Sequence, residues 1–158
     1  MAANPCACGH HGSTSPCLCT EHEVLRYRRR LSGPILDRVD LRVHLQAVSP
    51  LALLTEPPGE SSFDVRTRVI RAREQQAHRG QTVPNARLTP AELERVSMPT
   101  ATATETLHGA ASKLQLSGRA LHRLVKVART LADLDQVAQI DRAHITDALL
   151  FRAAPRCA

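Results

Sequence analysis

The stretch LSGPILDRVDL, residues 31–41, organises the first third of the chain. Gly33 can adopt the left-handed backbone that ends many helices, and Pro34 has no backbone N–H with which to continue one. A helix that precedes this stretch is therefore expected to stop here. The couplet Asp37-Arg38 then leads into a different pattern.

That pattern is an alternation of apolar and polar residues. Between 39 and 45 the odd positions are apolar and the even positions polar, the apolar ones being Val39, Leu41, Val43 and Leu45. A period of two is typical of a strand with one buried face. Arg38 would lie at the mouth of this strand. Its planar guanidinium, charged at any working pH, is suited to bind a phosphate on a neighbouring molecule.

The composition is that of a globular protein with an unusual core. Of 158 residues, 42% are apolar and 23% charged, but only 2% are aromatic, so aliphatic side chains and alanine must fill the interior, as in small helical bundles. A net charge of +6 favours anionic partners such as nucleotides or nucleic acid. No apolar run reaches the roughly 18 residues that span a bilayer, and no signal peptide is apparent. We therefore expect a cytoplasmic protein with no membrane partner.

Four of the five cysteines form two C-x-C pairs, separated by eight residues: Cys6, Cys8, Cys17 and Cys19. In a chain without an export signal, bunched cysteines indicate metal ligands before disulfides. Two sulfur pairs brought together by a turn can supply the four ligands of a tetrahedral Zn²⁺ site. C-x-C is a tighter chelate than the usual C-x₂-C, and three histidines are within reach. Free structural thiols or a redox pair remain alternatives.

Helical signals dominate the remainder of the chain. The capping boxes Thr20-Glu21-His22-Glu23 and Thr89-Pro90-Ala91-Glu92 each mark a helix start. The predicted helices cover about 21–31, about 61–77, a short segment from Pro90, 101–114, a segment opened by Ser117, and a last one from Asp141 to Leu150. Three prolines between 49 and 59 indicate a linker with a short turn at Leu51–Leu54.

We therefore predict an α/β remnant followed by an all-α region. Residues 1–48 would form the C-terminal end of an α/β core, with one strand, flanking helices and the cysteine loop. Residues 49–60 would be a linker, and 61–153 a helical bundle. The most amphipathic helix follows Ser117. One of its faces is expected to pack on a core, and Arg119, His122, Lys126 and Arg129 form a basic stripe on another face.

Arg119 is a candidate anion-binding residue. It lies in the first turn of its predicted helix, where the positive end of the helix dipole disfavours a cation unless an anion shares the site. A solvated arginine at a helix end is the alternative. Asn4 offers an amide that could orient a water or a phosphate oxygen, although Asn before Pro is also a common turn. The sequence contains no G-x-x-x-x-G-K-[ST] phosphate loop and no strand ending in paired acids that could hold magnesium.

Several blocks of sequence together resemble the C-terminal part of the magnesium chelatase-like AAA+ ATPases of the YifB/ComM family. These blocks are NPCACG at 4–9, RYR at 26–28 continuing to LSGPILDRVDL at 31–41, GESS at 59–62, LSGRALHR at 116–123 and ARTLADL at 128–134. The resemblance covers nearly the whole chain. It implies that residues 1–48 belong to the AAA+ core and that 61–153 form its helical lid.

The resemblance also implies roles for three residues. Asn4 matches the sensor 1 position that polarises the attacking water or contacts the γ-phosphate. Arg38 matches the arginine finger that enters the ATP site of the next subunit. Arg119 matches the sensor 2 arginine, which reports bound nucleotide to the lid. The family implies a ring of identical subunits, ATP with Mg²⁺ as cofactors, and DNA as the partner, through branch migration in natural transformation.

Family members carry the phosphate loop and the magnesium-binding acids upstream of the segment that this sequence matches. We therefore expect a fragment that does not bind ATP and Mg²⁺ by itself and is inactive as an ATPase alone. The competing hypothesis is a zinc-dependent nucleic-acid-binding or interaction module, with the cysteine loop and the basic helices as its surface.

Overall fold

The computed structural model describes residues 1–13, 15–30, 35, 38–45 and 47–152, and these divide into two compact units. One unit runs from Met1 to Glu56 and the other from Pro57 to Arg152. The boundary falls inside the predicted linker 49–60. The finer domain assignment of 1–48, 49–60 and 61–153 stays a prediction.

In its described residues the first unit contains the cysteine loop and the helices α1 (Glu21–Arg29) and α2 (Pro50–Thr55). The predicted capping box at α1 is confirmed: the Thr20 N–H donates to Glu23 Oε2 at 2.9 Å, and the Glu23 N–H donates to Thr20 Oγ1 at 3.3 Å. α2 begins inside the predicted linker, with Ser49 as its N-cap. The predicted helix stop at Gly33-Pro34 lies outside the described residues.

The predicted strand at 39–45 is wrong. These residues adopt no strand, and Leu41, Val43 and Leu45 are 52%, 68% and 85% exposed. The alternating pattern is present, but a strand also requires a neighbouring strand to pair its backbone groups and a surface to cover its apolar face. Neither is provided by the described part of the chain. The α/β remnant of the predicted fold is therefore not found, and the described residues are mostly helical.

The second unit is a helical bundle. Its elements are α3 (Ser62–His78), a 3₁₀ turn (Asn85–Arg87), α4 (Pro90–Ser97), α5 (Ala101–Lys113), α6 (Gly118–Leu134) and α7 (Arg142–Leu150). All five predicted helices are confirmed to within a few residues at their ends. The capping box between Thr89 and Glu92 is present, and Asp141 caps α7. The all-α part of the prediction is therefore correct, and a helical lid is consistent with it.

α6 lies at the centre of this bundle, in contact with α3, α4, α7 and the 3₁₀ turn. Its residues Leu124, Ala128 and Ala132 are fully buried and pack with Ile140 and Ile145. A smaller cluster of Leu88, Leu93 and Val96 packs beside it. Small alanines on α6 let neighbouring helices approach closely, so the scarcity of aromatic residues does not prevent a dense core.

Arg129 corrects the predicted basic stripe. Its side chain is completely buried rather than exposed. The Nε group donates to Asp133 Oδ1 at 3.0 Å, and the two terminal nitrogens donate to the carbonyl oxygens of Ala138 and Val137. The sequence pattern predicted that Arg129 lies off the core face, because charged residues are rarely buried unless they are paired. Here the pairing partner is one helical turn away on the same helix.

None of the helices in the described part of the chain combines the length and apolar character that a membrane crossing requires.

Candidate metal centre and basic pocket

The cysteine loop is built from two consecutive tight turns. The Gly9 N–H donates to the Cys6 carbonyl at 3.2 Å, and the Ser13 N–H donates to the His10 carbonyl at 3.1 Å. Gly9 and Gly12 have φ values of +86° and +77°, a backbone that residues with a Cβ rarely adopt. These turns reverse the chain, so that the second C-x-C pair lies against the first.

The four sulfur atoms lie at distances suited to a shared metal ion. Cys6 Sγ is 3.4 Å from Cys8 Sγ and 3.7 Å from Cys17 Sγ, and the Cys8–Cys17 distance is 3.5 Å. All four, including that of Cys19, lie within 4.8 Å of one another. A disulfide bond would need about 2.05 Å. Tetrahedral Zn²⁺ with Zn–S bonds of about 2.3 Å holds its sulfurs about 3.8 Å apart. The arrangement therefore fits a four-thiolate site.

Backbone N–H groups point at these sulfurs. The His11 N–H donates to Cys6 Sγ at 3.3 Å. The N–H groups of His10 and Leu18, which point at Cys8, lower the pKa of its thiol to about 5. For Cys17 the N–H of Cys19 favours the thiolate, but burial and the neighbouring thiols outweigh it and raise the pKa to about 12. The pKa of the Cys6 thiol is lowered as well, and that of Cys19 is raised, so two of the four thiols favour the charged form and two resist it. A bound cation would relieve that resistance.

The four predicted ligands lie together in one cluster, and among the described residues no histidine belongs to it. The group of mutually close ligand atoms in the described residues consists of the four cysteine sulfurs. His11 contributes through its backbone. Cys6 is fully buried and the other three cysteines are partly buried, so a metal here would be shielded from solvent on one side.

Asn4 and Arg38 lie in the same unit as this cluster. Asn4 is exposed, and its side chain lies beside Gly9 of the first turn. Arg38 is also exposed and lies in a turn in which its N–H donates to the Ile35 carbonyl at 3.0 Å. Both positions leave the polar group accessible to a ligand. The roles that the family resemblance implies for these two residues stay predictions.

Arg119 lies in the second unit, at the edge of a basic pocket of about 400 Å³. The basic pocket is lined by Pro90, Gly118, Arg119, His122, Arg123 and Lys126. Pro90 and Gly118 are the first residues of α4 and α6, so two helix N-termini border the same space. Of the predicted basic stripe, Arg119, His122 and Lys126 do share this surface. Lys126 Nζ also donates to the Ala86 carbonyl at 3.1 Å, which fixes one side of the wall.

A buried polar network around Asp133 was not predicted from the sequence. Asp133 accepts hydrogen bonds from Arg79 at 2.6 and 2.9 Å, from Asn85 at 2.8 Å and from Gln76 at 3.1 Å, besides that from Arg129. It therefore ties α3 and the 3₁₀ turn to α6. The Arg129–Asp133 spacing of four residues was a usable signal. The other donors come from 48 to 57 residues away and left no local pattern.

Comparison with known proteins gives one family match for each part of the chain. Residues 59–152 match the family model described as magnesium chelatase, subunit ChlI C-terminal, and residues 1–53 match that described as magnesium chelatase, subunit ChlI. This chain belongs to the magnesium chelatase family. The two matched segments correspond to the two units, with the change falling in the Pro-rich stretch around Glu56.

Relatives within the magnesium chelatase family share sequence over almost all of this chain. The protein YifB of Escherichia coli is 42% identical over 156 residues, which is 98% of this chain and 30% of YifB. Competence protein ComM of Haemophilus influenzae is 40% identical over 160 residues, again 98% and 30%. An uncharacterized protein of Mycobacterium tuberculosis strain H37Rv is 37% identical over 155 residues. The chain spans about 30% of the length of these curated relatives.

Proposed function

We propose that this chain is the sensor, arginine-finger and lid portion of a magnesium chelatase-like AAA+ ATPase. In this proposal Asn4 acts as sensor 1, Arg38 as the finger that reaches the ATP site of the next subunit in a ring, and Arg119 as sensor 2. ATP and Mg²⁺ would be bound by parts of the whole protein other than this chain. The observation that carries the proposal is the basic pocket at the start of α6.

The electrostatics of the basic pocket favour a phosphate. Four basic side chains line it, and no carboxylate is among the lining residues. A cation in the first turn of a helix is disfavoured by about 0.3–1 kcal/mol, so Arg119 beside two helix N-termini is unfavourable without an anion. With a phosphate present, the free backbone N–H groups at the helix N-terminus and the guanidinium of Arg119 would bind it together. A volume of about 400 Å³ accommodates a di- or triphosphate group.

The partner of the whole protein would be DNA. The resemblance implies branch migration during natural transformation, and the H. influenzae relative carries the name competence protein. The net charge of +6 also suits contact with a polyanion.

The pocket is tested by titrating the isolated chain with tripolyphosphate, as a probe for the phosphate group alone, while NMR follows the amides of α6. We expect shifts centred on 118–126 and an affinity at least about tenfold weaker in Arg119→Ala, since a charge-assisted hydrogen bond contributes about 1.5–3 kcal/mol. Arg142→Ala is the matched control, because Arg142 is also exposed in the first turn of its helix. Equal effects of both substitutions, or shifts elsewhere, would contradict the proposed pocket.

We also propose that the four cysteines hold a structural Zn²⁺ ion. Four thiolates closing a tetrahedron leave no open position for substrate, which is typical of structural rather than catalytic zinc. Elemental analysis of the chain purified without chelator should give one zinc per molecule. Cys17→Ser should reduce this to near zero, whereas Cys157→Ser should not. Unchanged zinc in Cys17→Ser would exclude this cluster as the ligand set.

The second candidate function is a zinc-dependent nucleic-acid-binding module. The cysteine cluster and the arginines of α1 favour it, since Arg26, Arg28 and Arg29 follow the cluster directly. DNA binding by the isolated chain that disappears in Cys6→Ser and Cys17→Ser would favour this function over the first. DNA binding that is unchanged in those variants would count against it.

A further inference from the structure

The side chain of Asn4 lies beside Gly9 of the cysteine loop. A Cβ placed on Gly9 would lie 3.8 Å from Asn4 Nδ2 and 4.0 Å from Asn4 Cγ. A Cβ at this position would therefore reach van der Waals contact with the amide, and a longer side chain would compete with it for the same space. By contrast, a Cβ placed on Gly12, the other positive-φ glycine of the loop, would meet nothing within 4 Å.

Gly9 itself is framed by groups of the four-cysteine centre. In sequence, Gly9 lies between Cys8, which contributes one of the four sulfur atoms, and His10, whose backbone N–H points at the Cys8 sulfur. Its own N–H donates to the carbonyl of Cys6, which is completely buried. The position of the backbone beside Asn4 therefore depends on the geometry of the thiol cluster.

The second C-x-C pair connects this surface to α1. Cys19 directly precedes Thr20, the N-cap of α1. An ion bound by all four sulfurs would therefore join the Asn4 segment to the start of α1 through a loop closed at Cys8 and Cys17. Closing a loop in this way removes conformational freedom that weak S–H hydrogen bonds cannot remove.

We propose that the metal in the four-cysteine centre holds the Asn4 amide in place, so that metal loading sets the orientation of this residue. The inference rests on the proposed zinc site, and it makes Gly9 the positioning residue between metal and amide. If Asn4 contacts a nucleotide phosphate or its attacking water, loss of the metal would misplace that contact without removing any residue.

Selective labelling tests this directly, because the chain contains only two asparagines, Asn4 and Asn85. In the chain labelled with ¹⁵N-asparagine, NMR would show two side-chain amide pairs. We expect one equivalent of Zn²⁺ to shift and order the Asn4 pair relative to a sample treated with EDTA and a phosphine reductant. The Asn85 pair, held by Asp133 and Thr130 in the other unit, should not move.

Two kinds of variant separate the possible failures. In Cys17→Ser, altered 13 residues from Asn4, added Zn²⁺ should leave the Asn4 pair in its metal-free position. Gly9→Leu should release Asn4 in the zinc-loaded chain, whereas Gly12→Leu, with a similar positive φ, should not. Stoichiometric zinc with an unchanged Asn4 pair would overturn the coupling while leaving the metal site intact. Absence of zinc from the loaded chain would overturn both.

Discussion

Asp133 is a buried carboxylate whose charge is balanced by neighbouring donors. It is fully buried on α6 and is surrounded by two arginines and two side-chain amides. Burial alone would raise the pKa of Asp133, but the hydrogen bonds from Arg79 and Asn85 and the charge of Arg129 outweigh it and lower the pKa. The charged form is therefore part of the folded structure.

Asp133→Asn should destabilise the helical bundle by about 3–5 kcal/mol, because it leaves Arg129 buried without a compensating charge. Urea denaturation followed by circular dichroism measures this loss. Asp147→Asn on the exposed face of α7 is the matched control and should change stability by no more than about 0.5 kcal/mol. A comparable loss in both variants would mean that Asp133 is not specially coupled to the core.

The same residue gives a pH dependence with a defined sign. Its folded pKa lies below the ordinary value of 3.8, so the unfolded chain binds the proton more readily. The stabilisation is therefore complete above about pH 4 and is lost as the pH falls through the lowered folded pKa. The stability difference between the natural chain and Asp133→Asn should shrink over that range. A constant difference from neutral pH to acid would contradict this assignment.

At the scale of elements, sequence patterns succeeded where the structure is decided locally. A capping box such as Thr89–Glu92 acts within four residues, and an amphipathic helix such as α6 needs only a core to face. The segment 39–45 has an equally regular pattern, but a strand depends on partners elsewhere, which its own residues do not reveal. The cysteine cluster was predicted because two C-x-C pairs separated by a short loop can be brought together by a single chain reversal. The donors to Asp133 were not, because they come from distant residues.

The end of α5 offers a stabilising substitution. Gln115 follows the cap residue Leu114 with φ +48°, and the Leu116 N–H donates to the Ala111 carbonyl at 3.0 Å, as in a Schellman motif. Glycine adopts this backbone without the penalty of about 1 kcal/mol that a Cβ incurs. Gln115→Gly should therefore raise the stability to urea by up to about 1 kcal/mol. Lys113→Gly, inside the helix, should lower it.

At the scale of the whole molecule, the residues proposed to act in ATP hydrolysis are divided between the two units. The first holds Asn4, Arg38 and the four-cysteine cluster, and the second holds Arg119 and the helical bundle proposed as the lid. The sequence itself contains no phosphate loop with which to grip ATP. Phosphoryl transfer depends on positioning and charge stabilisation by several parts together, and the proposed arginine finger works only on a neighbour's nucleotide.

We therefore expect the isolated chain to show no ATP hydrolysis above buffer, with or without Mg²⁺. Turnover by a preparation free of longer homologues would contradict this. In a family protein that carries residues 1–158 after its own phosphate loop, Arg38→Ala should lower turnover by about 10³–10⁵, the range for a trans-acting arginine.

Mixing subunits tests whether Arg38 acts across a boundary. One subunit carries Arg38→Ala with an intact phosphate loop, and the other carries Arg38 with a disabled phosphate loop. Each should be inactive alone, but a mixed ring would place the arginine of the second beside the nucleotide of the first. Recovery of turnover on mixing, rising with the fraction of such boundaries, is the expected result. No recovery from subunits that still assemble would show that Arg38 serves its own subunit or none.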